Sequence, residues 1–412
     1  MISYHRFVEL LHELFLSPIF LDSSGFTPSH STSIDDFSLM CWERIHTTSP
    51  NNINGKCVWW HEEPLNSQDL DNLQWIELLK NQSNVSLKDY PMPPGQPACW
   101  ELVVNTNFQI FANSEISQLK KNWIKQSGYL DWYFFFHGFA SLYWYNDFKY
   151  LRNSEIKISK VFMCLNHIIN NNRSYRLYLL SNLKSHNLTN HGFISAPLLS
   201  KELIKKELYN KDSQLSTTAK KHIHENLLPE ANPIFLDHDT NYDYASADII
   251  DSKFSYGSMW HVVTETVFYE NKLHLTEKIF KPIVIGRPFL LISSVGNLSY
   301  LKRYGFKTFD RWIDESYDNE PDPDIRLLMI VEELNKLCNM SEIDLMNMYK
   351  EMQPILEYNK EHFFGNFKEI LVDELIDNFK KCVFLYNKDL SERFRVPEQN
   401  LDYNYIKKIL LS

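Results

Sequence analysis

The chain has 412 residues, more than one hydrophobic core ordinarily serves, and its 44% hydrophobic and 14% aromatic content is enough to build two. With only 11 glycines and 17 prolines it is not a low-complexity or linker-dominated chain. A formal charge of −10 argues against a general basic surface for nucleic acid, while 42 lysines and arginines leave room for a local basic groove.

The first twenty residues are apolar, yet His5, Arg6, Glu9, His12 and Glu13 interrupt them, so they do not read as a signal-peptide core. Phe7, Leu10, Leu11 and Leu14 follow helical spacing instead. No run of about eighteen apolar residues follows, and no membrane span is expected. Residues 56–60 read as a short strand ending in the polar corner His61-Glu62-Glu63-Pro64. A helix is expected over 70–80, strands over 102–105 and 108–111, and another helix from Ser114. An aromatic strand over 130–136 ends at His137-Gly138. A second series begins near Lys160: an apolar strand over 161–165, a polar loop over 166–172, and a helix over 173–186 with Leu177, Leu180 and Leu183 on one stripe. Strands over 192–196 and 234–236 follow. The clearest unit is strand 260–268, helix 276–285, strand 289–292 and helix 298–304. From about 325 to 386 the pattern is helical, with Ser341 and Asp344 as an N-cap and Pro354 expected to kink or break the helix.

This alternation implies an α/β fold of two Rossmann-like domains, divided near residue 155 and followed by C-terminal helices. In such folds ligands sit beyond the C-terminal ends of the strands. The six cysteines (Cys41, Cys57, Cys99, Cys164, Cys338, Cys382) include no C-x-x-C pair, which favours reduced, buried thiols in a reducing, cytoplasmic setting. Asn187 and Asn297 head N-x-S/T triplets, which arise by chance in an Asn-rich chain.

The informative stretch is Phe268-Tyr269-Glu270-Asn271, then His274-Leu275-Thr276-Glu277-Lys278-Ile279-Phe280. Thr276 is a good N-cap, which sets Glu277 and Lys278 in the first helical turn. A helix start after a strand and loop offers backbone N–H groups to a diphosphate, and Lys278 adds a full charge. Glu277 can accept two hydrogen bonds from a ribose diol. On local physics alone, Glu277 equally complements the helix dipole and Lys278 equally stands in water.

The order Glu-Asn, spacer, Thr-Glu-Lys resembles the donor motif of the α1,3-fucosyltransferase family and of related phage and bacterial GT-B glycosyltransferases, over roughly residues 160–320. Lys281-Pro282-Ile283 and Gly286-Arg287-Pro288-Phe289 continue the pattern; His274 stands where fucosyltransferases often carry Tyr. The resemblance implies a GT-B-like fold in which Asn271, Glu277 and Lys278, with Thr276 and His274 beside them, contact a nucleotide sugar. It also implies an Arg on the donor phosphates, which Arg176 fits best and Arg173 next, a guanidinium being suited to a diphosphate. The carboxylate before Pro implied as general base is matched by both Glu63 and Glu62, with Glu63 preferred.

Other residues compete. Asp237-His238-Asp239 and Asp322-Pro323-Asp324 spell the D-x-D of metal-dependent transferases, a pattern that also arises by chance. His137 and Glu265 are further candidates, the latter because a buried carboxylate mid-strand demands a partner. His222 and His224 lie in a Lys-rich helix and are expected to face water, and Trp132, Tyr133, Trp144 and Tyr145 are expected mainly in the core.

The expectation is an acceptor-side domain over 1–155, a nucleotide-sugar domain over 156–325, and a helical segment over 326–412 packing back across them. The activity implied is inverting transfer of a sugar from a nucleoside diphosphate to an acceptor hydroxyl, with no metal or other cofactor beyond the donor. The partners are the donor and an acceptor saccharide or modified nucleic acid. Two alternatives stay open: a viral DNA-modifying glycosyltransferase, and a non-catalytic carbohydrate- or nucleotide-binding protein.

Overall fold

The computed structural model describes residues 19–22, 57–61, 109–127, 130–150, 158–236, 250, 252–388 and 403–411. Two compact units divide the chain: Met1–Phe139 with Lys368–Ser412, and Ala140–Phe367. The fold is α/β, and each unit holds a parallel four-stranded sheet.

In the first unit the strands are β1 (Ile19–Asp22), β2 (Cys57–His61), β3 (Gln109–Asn113) and β4 (Leu130–Tyr133), paired in that order. Helix α1 (Gln118–Ser127) joins β3 to β4, and α2 (Phe136–Trp144) follows. Three of these elements depart from the pattern in the sequence. Ser117 rather than Ser114 starts α1, its hydroxyl accepting the Lys120 N–H at 3.0 Å. The aromatic run stops being a strand at Tyr133, and Phe136 begins a helix that contains His137. Phe134, Phe135 and Phe136 are all buried, and continuous burial does not distinguish strand from helix. The strand at 19–22 has no counterpart among the expected elements. The helices expected near residue 10 and over 70–80, and the strand over 102–105, lie outside the described residues.

In the second unit β5 (Lys160–Leu165) leads through α3 (Tyr175–Ser185) to β6 (Gly192–Ser195), then α4 (Lys201–Tyr209) and α5 (Thr217–Asn226). Strand β7 (Ser258–Thr264) is followed by the short α6 (Phe280–Val284), β8 (Phe289–Ile292), α7 (Asn297–Arg303), α8 (Pro323–Cys338) and α9 (Glu342–Phe364). The sheet order is β8-β7-β5-β6. All of β7 and of the edge strand β8 is buried, as strands with both faces of the sheet covered require. Gly192 lies opposite Phe162, where a Cβ would sit 2.3 Å from the phenyl ring. The expected strand over 234–236 reduces to one bridge, Ala196 to Ile234.

Two helices carry further corrections. Pro354 does not break α9, which runs unbroken from Glu342 to Phe364. Buried Met352 and Leu356 flank the proline, and beyond it Asn359 bonds both Lys307 N and Lys307 O at 2.8 Å. Ser341 caps this helix as expected, accepting Asp344 N–H at 3.1 Å. In α5, His224 is exposed, but His222 Nδ1 lies 2.7 Å from Ser181 Oγ on α3.

Helices α10 (Asn366–Lys388) and α11 (Tyr403–Leu411) complete the chain. The part of α10 in the first unit covers β4: Trp132 Nε1 donates to Leu375 O and its ring lies 5.3 Å from Phe379. No helix of the described residues is long and apolar enough to cross a membrane.

Candidate functional site

In the second unit the chain leaves β5 toward β6 on one side and later returns to place β7 on the other. The loops after β5 and β7 therefore diverge at the C-terminal edge between these two strands, the switch point at which α/β sheets bind ligands. Both stretches singled out in the sequence, 166–176 and 265–278, emerge there.

The expected strand over 260–268 ends at Thr264, because Glu265 turns its carboxylate onto its own loop. Its Oε1 accepts Thr276 N–H at 3.1 Å, and its Oε2 accepts Thr276 Oγ1–H at 2.6 Å and Thr266 N–H at 3.3 Å. Glu265 is fully buried, so the partner demanded by a buried carboxylate proves to be the far end of the same loop.

Three more buried side chains hold this loop by its main chain. Arg176 donates through Nη2 to Thr264 O at 2.6 Å and Glu265 O at 3.2 Å, and through Nη1 to Ile168 O at 2.8 Å. Arg326 donates to Phe268 O and Glu320 O, each at 2.6 Å, and to Ser293 O at 3.0 Å. Asn297 accepts His274 N–H at 2.9 Å and donates to Lys272 O at 2.8 Å. Between the arginines run stacked rings: Tyr175 lies 4.2 Å from Phe268, and the Arg326 guanidinium sits 4.6 Å from the other ring centroid.

At the end of the loop Thr276 is the N-cap, as expected, with Oγ1 accepting Lys278 N–H at 3.4 Å. The helix expected over 276–285 is instead a 3-10 turn, Glu277–Ile279, followed by five α-helical residues. Pro282 brings no N–H to bond the Lys278 carbonyl, and Gly286 at φ 67 ends the segment. So short a helix contributes little dipole, and the positive charge is that of Lys278 itself. Its ammonium lies 3.0 Å from both Glu277 Oε1 and Thr276 Oγ1, and about a third of the side chain remains exposed. Glu277 is buried, and Asn271 is exposed.

The other sequence candidates fall as follows. Arg176 faces inward with Nη1 and Nη2 on carbonyls and Nε on the Tyr175 hydroxyl, whereas Arg173 is half-buried at the end of the turn Asn171–Arg173. His274, within the loop, is buried. His167, in the loop after β5, is held below its usual pKa first by burial and then by Arg176 and Arg173. His137 is buried in α2, edge-on to Phe136. Asp322 caps α8, accepting the N–H groups of Asp324 and Ile325, so this D-x-D is a helix start. Asp237, His238 and Asp239 lie outside the described residues, as do Glu62 and Glu63. Among the described residues no three His, Cys, Asp or Glu side chains gather as a metal site.

Where β2 ends, His61 pairs with Asn113 of β3, beside a polar cluster that is buried except at Asp131. Lys120 Nζ donates to Asn113 Oδ1 at 2.9 Å and Asp131 Oδ1 at 3.1 Å, while Ser117 bonds Glu115. Burial pulls the Lys120 pKa down, and Asp131 and Glu115 oppose it. Neither this cluster nor Arg326 stands out in the sequence, because each residue lies in an ordinary polar position of its segment. Asn297 did stand out, as a glycosylation triplet, but it is fully buried and serves the loop.

No protein-family model matches the chain, and no curated protein matches it.

Proposed function

We propose that the chain is a glycosyltransferase that takes a sugar from a nucleoside-diphosphate donor, with Glu277 and Lys278 at the donor site. One observation carries this reading: the pair stands at the sheet's switch point, at the end of a loop fixed by buried Arg176, Arg326, Asn297 and Glu265. The resemblance of 268–289 to the fucosyltransferase and phage-type donor motif supports it.

In this reading Lys278 leaves Glu277 for the donor's diphosphate and stabilises the charge that develops on the leaving group. Glu277 then accepts the ribose hydroxyls, and Asn271 reaches the donor from the exposed part of the loop. Arg173 is the guanidinium for the phosphates, and Arg176 braces the two loops. Glu63 or Glu62 takes the acceptor proton, with inversion at the anomeric carbon. A GT-B-like pair of Rossmann-like domains with limits at 155 and 325, action without a metal, and a cytoplasmic setting belong to the same proposal.

Calorimetry with UDP, GDP, CDP and dTDP tests it. The expected result is that one diphosphate binds in EDTA and that Lys278→Ala weakens it by about tenfold or more, the scale of a charged hydrogen bond. If none binds, or if Lys278→Ala binds as the wild type does, the reading is wrong.

A further inference from the structure

Glu265 has the appearance of a catalytic carboxylate, being buried, acidic and at a strand's end, but both of its oxygens are occupied. What those contacts do to Thr276 is the more informative point. A threonine hydroxyl has one proton and two lone pairs. The proton goes to Glu265 Oε2 at 2.6 Å, the shortest contact of the group. That leaves the lone pairs for Lys278, whose backbone N–H and ammonium lie 3.4 and 3.0 Å away. The chain of bonds has one direction, from Lys278 to Thr276 to Glu265, and the carboxylate sets it because it can only accept.

We propose that Glu265 is a positioning residue which, through Thr276, aims the Lys278 ammonium at the ligand's diphosphate. The inference rests on the reading above that Lys278 binds a diphosphate. A glutamine in its place offers one acceptor oxygen to Thr266 N–H, Thr276 N–H and Thr276 Oγ1–H, and turns two N–H donors toward them. If that amide donates to Thr276 Oγ1, the hydroxyl proton points toward Lys278 and the ammonium loses its acceptor. Glu265→Gln therefore removes the aim of Lys278 while keeping the side chain's shape.

The test is calorimetry of the nucleoside diphosphate that binds the wild type, and of the matching nucleoside, from the uridine, guanosine, cytidine and thymidine series. The proteins are the wild type, Glu265→Gln, Thr276→Val, Thr276→Ser, Lys278→Ala and the double variant Glu265→Gln/Lys278→Ala. Glu265→Gln and Thr276→Val are expected to weaken the diphosphate severalfold, against about tenfold or more for Lys278→Ala, and all three to leave the nucleoside within about twofold, while Thr276→Ser stays near wild type. On the Lys278→Ala background Glu265→Gln adds less than about twofold, because the residue it acts through is gone. Equal losses for nucleoside and diphosphate, or full additivity in the double variant, would show a merely structural role and overturn the inference. A wild type that binds no diphosphate sinks the proposed function and this inference together. Binding sensitive to Lys278→Ala but not to Glu265→Gln or Thr276→Val sinks the inference alone. Should Glu265→Gln not fold, the Thr276 pair decides the matter.

Discussion

Replacing Arg326 with methionine removes every donor that this side chain supplies while keeping most of its length. Four carbonyls lose a charged partner: buried Phe268 O and Ser293 O, and part-buried Glu320 O and Pro321 O, the last bonded only at 3.4 Å. Each such bond is worth about 1.5–3 kcal/mol. Against that stands the desolvation of the guanidinium, which methionine avoids and which is visible in the way burial pulls Arg326 below its usual pKa. The balance is a loss of about 2–4 kcal/mol, concentrated where Arg326 meets the loop. Urea denaturation reads the total, and hydrogen exchange of the amides over 266–276 reads the location. The expected outcome is a lower midpoint together with faster exchange in that segment than elsewhere in the second unit. If the midpoint falls while protection over 266–276 is unchanged, Arg326 stabilises the fold without fixing the loop, and the reasoning fails.

Two other perturbations test the packing beneath the site. His261 is buried, with its Nε2–H donating to Ser255 O at 3.1 Å, and burial, partly opposed by that contact, lowers its pKa from 6.5 to about 3. Between those values the unfolded chain binds a proton that the folded chain refuses, so stability should fall as pH drops through the window, by up to about 1.4 kcal/mol per unit. His261→Gln should flatten the urea midpoint against pH between 6.5 and 4; an unchanged slope would show that other groups carry it. Gly192→Ala places a methyl 2.3 Å from the Phe162 ring and should cost about 1–3 kcal/mol in thermal or urea unfolding. A loss under about 0.5 kcal/mol would mean that the edge strand gives way easily.

The elements of the second unit were largely legible in the sequence because they alternate cleanly. Strand 289–292 matches to the residue, and Thr276 and Ser341 cap as their side-chain chemistry requires. The misreadings have a common cause, namely that tertiary contacts decided between local options. Val263 and Val267 suggest one continuous strand, but the carboxylate of Glu265 finds Thr276 across the loop and the strand stops. Phe134 to Phe136 are apolar enough for either strand or helix. Pro354 would end an isolated helix, yet contacts on both sides of it keep α9 whole. At the candidate site, the Thr276 cap was legible because it depends on residues contiguous with it. Arg326 and Asn297 were not, since their role depends on carbonyls that are distant in sequence.

Arg176, Arg326 and Asn297 hydrogen-bond to the peptide groups of the loop after β7. A peptide group is the same whatever residue carries it. These hydrogen bonds are therefore blind to the identity of exposed Asn271, whereas Tyr269 and Glu270 are tied by their own side chains, to Ser174 and to Lys272. A protein built this way can change what it recognises by altering that exposed position while its support stays constant. For the same reason the loop is a natural place to begin a library aimed at new ligands.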